Sequence, residues 1–196
     1  MGRIQLILTA MGVESTPIIQ QFCLTKINAS FPLFGRETIF LAQTGVGPKR
    51  VNKRLPDILS YFEKYEISRI YNIGVAGGNP LKLKMNQLYH VNRVIQDSTQ
   101  LAFTLGTKLD LGLEHISLTT VEKEVREWTP DYLGLVDMEA WDIVHGLKDT
   151  ISLDKITIIK IVSDLMDLNK RKITMSDLQN HIQKNMNIIE TIILNG

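Results

Sequence analysis

Little in this chain supports disulfide, metal or cofactor chemistry. Cys23 is the sole cysteine, so no intrachain disulfide can form and a reducing compartment is expected. The four histidines, His90, His115, His145 and His181, show no H-x-x-x-H, H-E-x-x-H or Cys–His spacing, and no metal site is expected. No stretch is long and apolar enough to span a bilayer. The apolar run after Met1-Gly2-Arg3 is too brief for a secretion signal and lacks a small-residue cleavage site, so a soluble, cytoplasmic protein is expected. A formal net charge of +1 gives no overall reason to expect nucleic acid or membrane as a partner. Two local basic runs, Lys49/Arg50/Lys53/Arg54 on an expected helix and Lys170-Arg171-Lys172 in an expected loop, are read as solvated surface without a role. Two glycine segments, Gly45-x-Gly47 and Gly74-Val75-Ala76-Gly77-Gly78, suggest a phosphate cradle. Neither completes G-x-G-x-x-G, and G-x-x-x-x-G-K-[ST] is absent, so no nucleotide cofactor is expected and the glycines are read as tight turns.

What is present is a core. With 196 residues and 44% hydrophobic composition, the chain can bury one sizeable interior, and residues 1–196 are read as a single domain. Apolar runs predict strands over residues 3–9, 68–73, 87–96, 113–119, 133–138 and 156–162. A hairpin is expected from residues 31–34 and 37–43, turning at Gly35-Arg36. Helices are expected over residues 17–24, 121–128 and 140–147, and from Pro48 to about residue 64, with Pro56 kinking that helix or delaying its start. A last helix opens with Ser176 and Gln179 at capping-box spacing. It carries Leu178, Ile182, Met186, Ile189 and Ile193 on one face, which is expected to pack on the sheet, a partner-binding helix being the alternative. Strands alternating with helices imply an α/β fold with a mostly parallel sheet flanked by helices.

Three carboxylates occupy matching places in this pattern. Glu14, Glu139 and Asp164 each follow closely on the end of an apolar strand run. In an open α/β sheet the carboxyl ends of strands form the crevice where ligands bind. Three acids converging there without a metal-ligand cluster suggest acid/base chemistry and hydrogen bonding to a polyhydroxylated substrate. Taken singly, each has a plainer reading: Glu14 and Glu139 as acids at helix N-termini, Asp164 as an N-cap or turn residue.

The ordered segments Thr9-Ala10-Met11-Gly12-Val13-Glu14, Thr44-Gly45-Val46-Gly47, Asn72-Ile73-Gly74-Val75-Ala76-Gly77-Gly78, Val136-Asp137-Met138-Glu139-Ala140 and Ser163-Asp164 resemble the nucleoside phosphorylase/nucleosidase superfamily. Within it, futalosine hydrolases and methylthioadenosine/S-adenosylhomocysteine nucleosidases are most similar. The resemblance implies a nucleoside phosphorylase-like fold with a mixed, mostly parallel twisted sheet, and cleavage of a purine N-glycosidic bond. It implies that Asp164 is the general acid at purine N7, oriented by Ser163. Glu139 would bind ribose hydroxyls, Met138 would pack on the sugar, and Glu14 would position and deprotonate the attacking water. Gly74, Val75, Ala76 and Gly77 would line the nucleophile and sugar side. The first loop carries no arginine for phosphate and Glu14 would repel one, so water is the favoured nucleophile. The partners implied are a small-molecule purine nucleoside and a second copy of the chain in a homodimer.

Departures from the pattern concern the substituent more than the reaction. Val75 replaces the serine usual in methylthioadenosine nucleosidases, and Thr120-Val121 offers no aromatic residue to stack on the base. The middle of the chain, residues 97–132, is short and matches poorly. A futalosine-type nucleoside of menaquinone biosynthesis is therefore expected, with methylthioadenosine or S-adenosylhomocysteine as the alternative. A binding protein without turnover and a uridine or inosine phosphorylase are the readings from other classes.

Overall fold

A computed structural model describes residues 2–106 and 111–196. The chain runs β1 (Arg3–Thr9), α1 (Gly12–Gln21), β2 (Thr25–Ile27), β3 (Leu33–Arg36), β4 (Ile39–Gln43), α2 (Pro48–Tyr61), β5 (Glu66–Gly78) and β6 (Leu88–Gln96). It continues through β7 (Ala102–Thr104), β8 (His115–Thr120), β9 (Leu135–Asp137), α3 (Ala140–Leu147), β10 (Ile156–Asp164), α4 (Met175–Lys184) and α5 (Met186–Leu194). Among the described residues no helix is long and apolar enough to cross a membrane.

The strands form one mixed sheet. Its centre is parallel, β4–β1–β5–β10, as the alternation of strands and helices predicts. From there β10 pairs antiparallel with β6, β6 and β8 run parallel, as do β8 and β9, and β9 returns antiparallel to β5. The pairings β5–β10–β6–β8–β9–β5 thus close a circuit; Glu139 and Asp164 emerge at the ends of its strands β9 and β10, and Glu14 follows the neighbouring strand β1 in α1. Every residue of β10 is buried, which accounts for its nearly continuous apolar run. Alternation along β1 sends Leu6 and Leu8 to one core and Ile7 to the other. The first core packs against Val51, Leu55 and Ile58 of α2 and Ile143, Val144 and Leu147 of α3; the second packs against Ile18, Ile182, Ile189 and Ile193.

Several expectations need correction. The hairpin turns at Glu37-Thr38, two residues late, with Glu37 in the left-handed region at φ 54°. The first helix starts at Gly12, not residue 17, and carries Pro17 inside it. Glu14 folds back to accept from the N–H of Met11 at 2.9 Å, and this local anchor outweighs the one hydrogen bond Pro17 cannot donate. Pro56 likewise lies inside α2, which begins at Pro48 without delay because Gly47, at φ 82°, supplies the left-handed turn before it. The strand expected over residues 68–73 extends through Gly78, so the glycine segment is strand, not turn. Residues 121–128 form no helix. Their apolar spacing is real burial of an irregular segment, since Val121, Val125 and Trp128 cluster with Val136, Met138 and Met166. The last helix is two helices broken at Asn185, whose side chain donates to the His181 carbonyl at 2.9 Å. Its capping box is Thr174 with Asp177 rather than Ser176 with Gln179. The stripe packs on the sheet, with Ile182, Met186, Ile189 and Ile193 buried, while Leu178 is turned to a cavity. Part of the poorly matching middle, residues 107–110, lies outside the described residues.

Candidate active site

One cavity of about 540 Å³ opens beside the ends of β5, β9 and β10. Glu14, Val75, Ala76, Gly77, Met138, Glu139, Ser163 and Asp164 all line it, so eight of the nine sequence-derived candidates meet at one place. Gly74 is the exception. It lies beneath Glu14, where a Cβ would come 2.6 Å from Oε1, so its contribution is room for that carboxylate.

Glu14 is buried and held by three backbone donors. Ala10 and Met11 donate to Oε2 at 3.0 and 2.9 Å, and Val75 donates to Oε1 at 3.0 Å. A carboxylate has about four acceptor positions, which leaves one on Oε1 for a further donor. Burial raises its pKa, against Lys160 and the three N–H groups, which lower it. Glu139 precedes α3 and accepts from the Gly47 N–H at 2.8 Å. Burial, followed by the neighbouring Asp137, pushes it up to about 7. At the end of β10, Asp164 accepts from the Ser163 hydroxyl at 2.8 Å and from the Met166 N–H at 2.9 Å. Met166 adopts φ 54°, a tight left-handed turn that aims its N–H at the carboxylate. Burial raises Asp164 as well, with Ser163 and Met166 opposing.

Two residues absent from the sequence-derived set organise the floor. Lys160, in the middle of β10, is buried and places Nζ 2.9 Å from Asp137, with side chains only 3% and 1% exposed. Asp137 also accepts from the Thr120 hydroxyl at 2.7 Å and from the Ala140 N–H at 3.0 Å. Burial works against the ammonium, but Asp137, Glu139 and Glu14 together hold its pKa above the ordinary lysine value. The signal for this pair was legible: a lone charge inside an apolar strand requires a buried partner. Arg171 and Lys172, read as bare surface, also line the cavity, as do Arg126 and Glu124. The apolar wall combines Met11, Met138, Met166 and Met175 with a larger set of valine, leucine and isoleucine side chains, and no aromatic residue is among the lining side chains. Among the described residues no group of three or more His, Cys, Asp or Glu is arranged to hold a metal.

Chemically, the arrangement offers three buried carboxyls with raised pKa values, Glu14 in the first turn of α1, Glu139 just before α3 and Asp164 at the end of β10. Glu14 and Asp164 are fixed by backbone donors, and burial favours the protonated form of each, which suits them to proton transfer with a bound ligand. The remaining acid beside them, Glu139, can accept hydrogen bonds from a diol.

No family model matches the sequence, and no curated protein matches it. The fold, in contrast, is shared with solved structures along its whole length. A futalosine hydrolase mutant from Helicobacter pylori superposes with a TM-score of 0.83 at 15% identity, covering 100% of both chains. The 5′-methylthioadenosine/S-adenosyl homocysteine nucleosidase of the same organism, complexed with a substituted pyrrolidinol, gives 0.82 at 16% identity and the same coverage. The apo 5′-methylthioadenosine nucleosidase of Arabidopsis thaliana gives 0.76 at 15% identity, covering 99% of this chain and 95% of its own. The chain therefore has the fold of these nucleosidases, as the sequence resemblance implies.

Proposed function

We infer that the protein is a purine nucleoside hydrolase, one nucleosidase domain over residues 1–196. The observation that carries the reading is the convergence of Glu14, Glu139 and Asp164 on one cavity, each pinned by a backbone N–H. Cleaving an N-glycosidic bond builds positive charge on the ribose and negative charge on the departing base. Asp164, raised by burial and oriented by Ser163, donates a proton or hydrogen bond to purine N7 as that negative charge develops. Glu14 uses its free acceptor position to hold a water and takes its proton as the oxygen bonds to the anomeric carbon. Glu139 accepts from ribose hydroxyls, and Met138 packs on the sugar. The carboxylates facing the sugar also stabilise its cationic character in the transition state. Lys160 is a positioning residue: its charge, shared with Asp137, keeps the buried acids from repelling one another.

Water is the nucleophile in this account. The cation at the floor is engaged by Asp137, and a phosphate would meet Glu14 and Glu139 instead of free donors. A futalosine-type nucleoside is the favoured substrate, releasing hypoxanthine or adenine. The apolar wall, which includes four methionines among valine, leucine and isoleucine side chains, gives a specific reason to keep methylthioadenosine or S-adenosylhomocysteine as the second reading, since it suits a small apolar substituent. A cytoplasmic homodimer belongs to the same proposal. The test is chromatography of free base released in phosphate-free buffer from futalosine, aminodeoxyfutalosine, methylthioadenosine and S-adenosylhomocysteine, with Asp164→Asn as the blank. Base from at least one, absent in the blank, is expected. Measurable nucleoside binding with no release from any would overturn the hydrolase in favour of a binding protein.

A further inference from the structure

The strand that delivers Asp164 is irregular at its end. Val162 of β10 pairs with Ala76 and Asp164 with the very next residue of β5, Gly77, so Ser163 is one residue more than the partner strand can match. Alternation along a regular strand sends neighbouring side chains to opposite faces, whereas Ser163 and Asp164 both line the cavity; the extra residue re-aims the carboxyl. On the other flank of β10, the register with β6 ends at Ile161 and Leu88. The hold on the bulge passes there to the connection from β5 to β6. The Asn86 N–H donates to the Val162 carbonyl at 2.8 Å, and the Val162 N–H donates to the Gln87 carbonyl at 3.1 Å.

Asn86 sits at φ 63°, in the left-handed region that most residues avoid and asparagine tolerates. Its side chain is tied to the break between α4 and α5. Oδ1 accepts from His181 Nδ1 at 2.9 Å and from the Asn185 amide at 3.3 Å, and the Asn86 carbonyl accepts from the same amide at 3.2 Å. An amide oxygen can only accept, so His181 carries a proton on Nδ1. None of the three residues lines the cavity. Resting on the nucleosidase reading, we propose that Asn86 is a positioning residue for the acid Asp164: anchored by its side chain on His181 and Asn185, it holds the residue before the bulge with its N–H and so fixes the direction of the carboxyl. Released from the anchor, the turn at Asn86 shifts and takes Val162 with it, and a reacting group displaced by about 1 Å loses much of its contribution to rate. Glu14 and Glu139 stand on other elements, so the hold on water and sugar is unchanged. A cluster that served the helix break alone would alter stability and leave turnover per folded molecule as it is.

The experiment uses Asn86→Gly, which keeps the left-handed turn accessible and removes the anchor. The substrate is a purine nucleoside that the wild type cleaves, with the folded fraction set by circular dichroism. A general acid supplies about 100- to 10,000-fold, and misdirecting it should cost part of this: kcat falls about tenfold while KM stays within about twofold. The loss should disappear on para-nitrophenyl riboside, whose leaving group departs without a proton. His181→Leu deletes the donor and should repeat the loss. His181→Asn sets an amide nitrogen at the same δ position as Nδ1 and should bring kcat back to within about twofold of the wild type. An unchanged kcat in Asn86→Gly, a loss carried by KM, an equal loss on both substrates, or a His181→Asn variant as slow as His181→Leu would each remove the positioning role while leaving the hydrolase intact. Absence of base release by the wild type from any purine nucleoside would overturn the nucleosidase reading and this proposal with it.

Discussion

Replacing Lys160 by methionine isolates the floor of the cavity, because it keeps most of the unbranched side chain while deleting its charge. The lysine is buried and ion-paired to Asp137 at 2.9 Å, and no solvent is available to take over. Removing one partner of a buried pair leaves an uncompensated charge and costs about 3–5 kcal/mol. For a chain of 196 residues this corresponds to a fall in Tm of about 6–20 °C. The loss should depend on pH. Glu14 and Glu139 already bind protons more tightly in the folded chain than in the unfolded one, and the ammonium is what limits that shift. Without it their folded pKa values rise further, so the penalty is small near pH 4 and grows as pH climbs through those values. Asp137→Asn/Lys160→Met removes the stranded charge as well and should recover at least half of the lost stability. Urea titrations of both variants at pH 5, 7 and 8.5 give the test. A loss below about 1 kcal/mol in the single variant, no dependence on pH, or a double variant as unstable as the single one would refute the assignment of Lys160 as the counter-charge.

Three further outcomes follow from the site. Asp164→Asn and Glu14→Gln should each lower kcat by at least about 100-fold with unchanged circular dichroism, and near-wild-type turnover by either would remove its role. Glu139→Gln should flatten the stability profile: with Glu139 raised to about 7, the wild type loses stability as pH rises from about 4.5 to 7, so the variant's relative stability should improve from pH 5 to pH 8 by urea titration. Gly74→Ala would set a Cβ 2.6 Å from Glu14 Oε1 and push the carboxylate from the Val75 N–H. A fall of about 10- to 100-fold in kcat with a destabilisation of about 1–3 kcal/mol is expected, measured by steady-state kinetics and denaturation.

The parts of this molecule that could be read from the chain are those where local pattern and tertiary role agree. The buried strands β1, β6 and β10 and the helix α3 fall where apolar runs and spacing place them. The acids were visible because each follows closely on such a run. Glu14 also shows why boundaries are harder: its contacts with Ala10, Met11 and Val75 start α1 five residues before the helix was expected, across a proline that argues against it. Residues 121–128 mislead for a related reason, since Val121 is buried and Val125 partly buried in the cavity wall and not by a helical face. The short strands β2 and β7 carry three residues each, too few for any periodicity to register. Arg171 and Lys172 could not be distinguished from other surface cations until the turn at Met166 brought their loop to the cavity.

Turnover in H2(18)O, followed by mass spectrometry of the sugar product, tests the central claim most directly. The account predicts one heavy oxygen on C1 of the released sugar at every phosphate concentration, and no label incorporation with Glu14→Gln. Formation of a sugar 1-phosphate, or base release that requires phosphate, would contradict the assignment of Glu14 as the base for water.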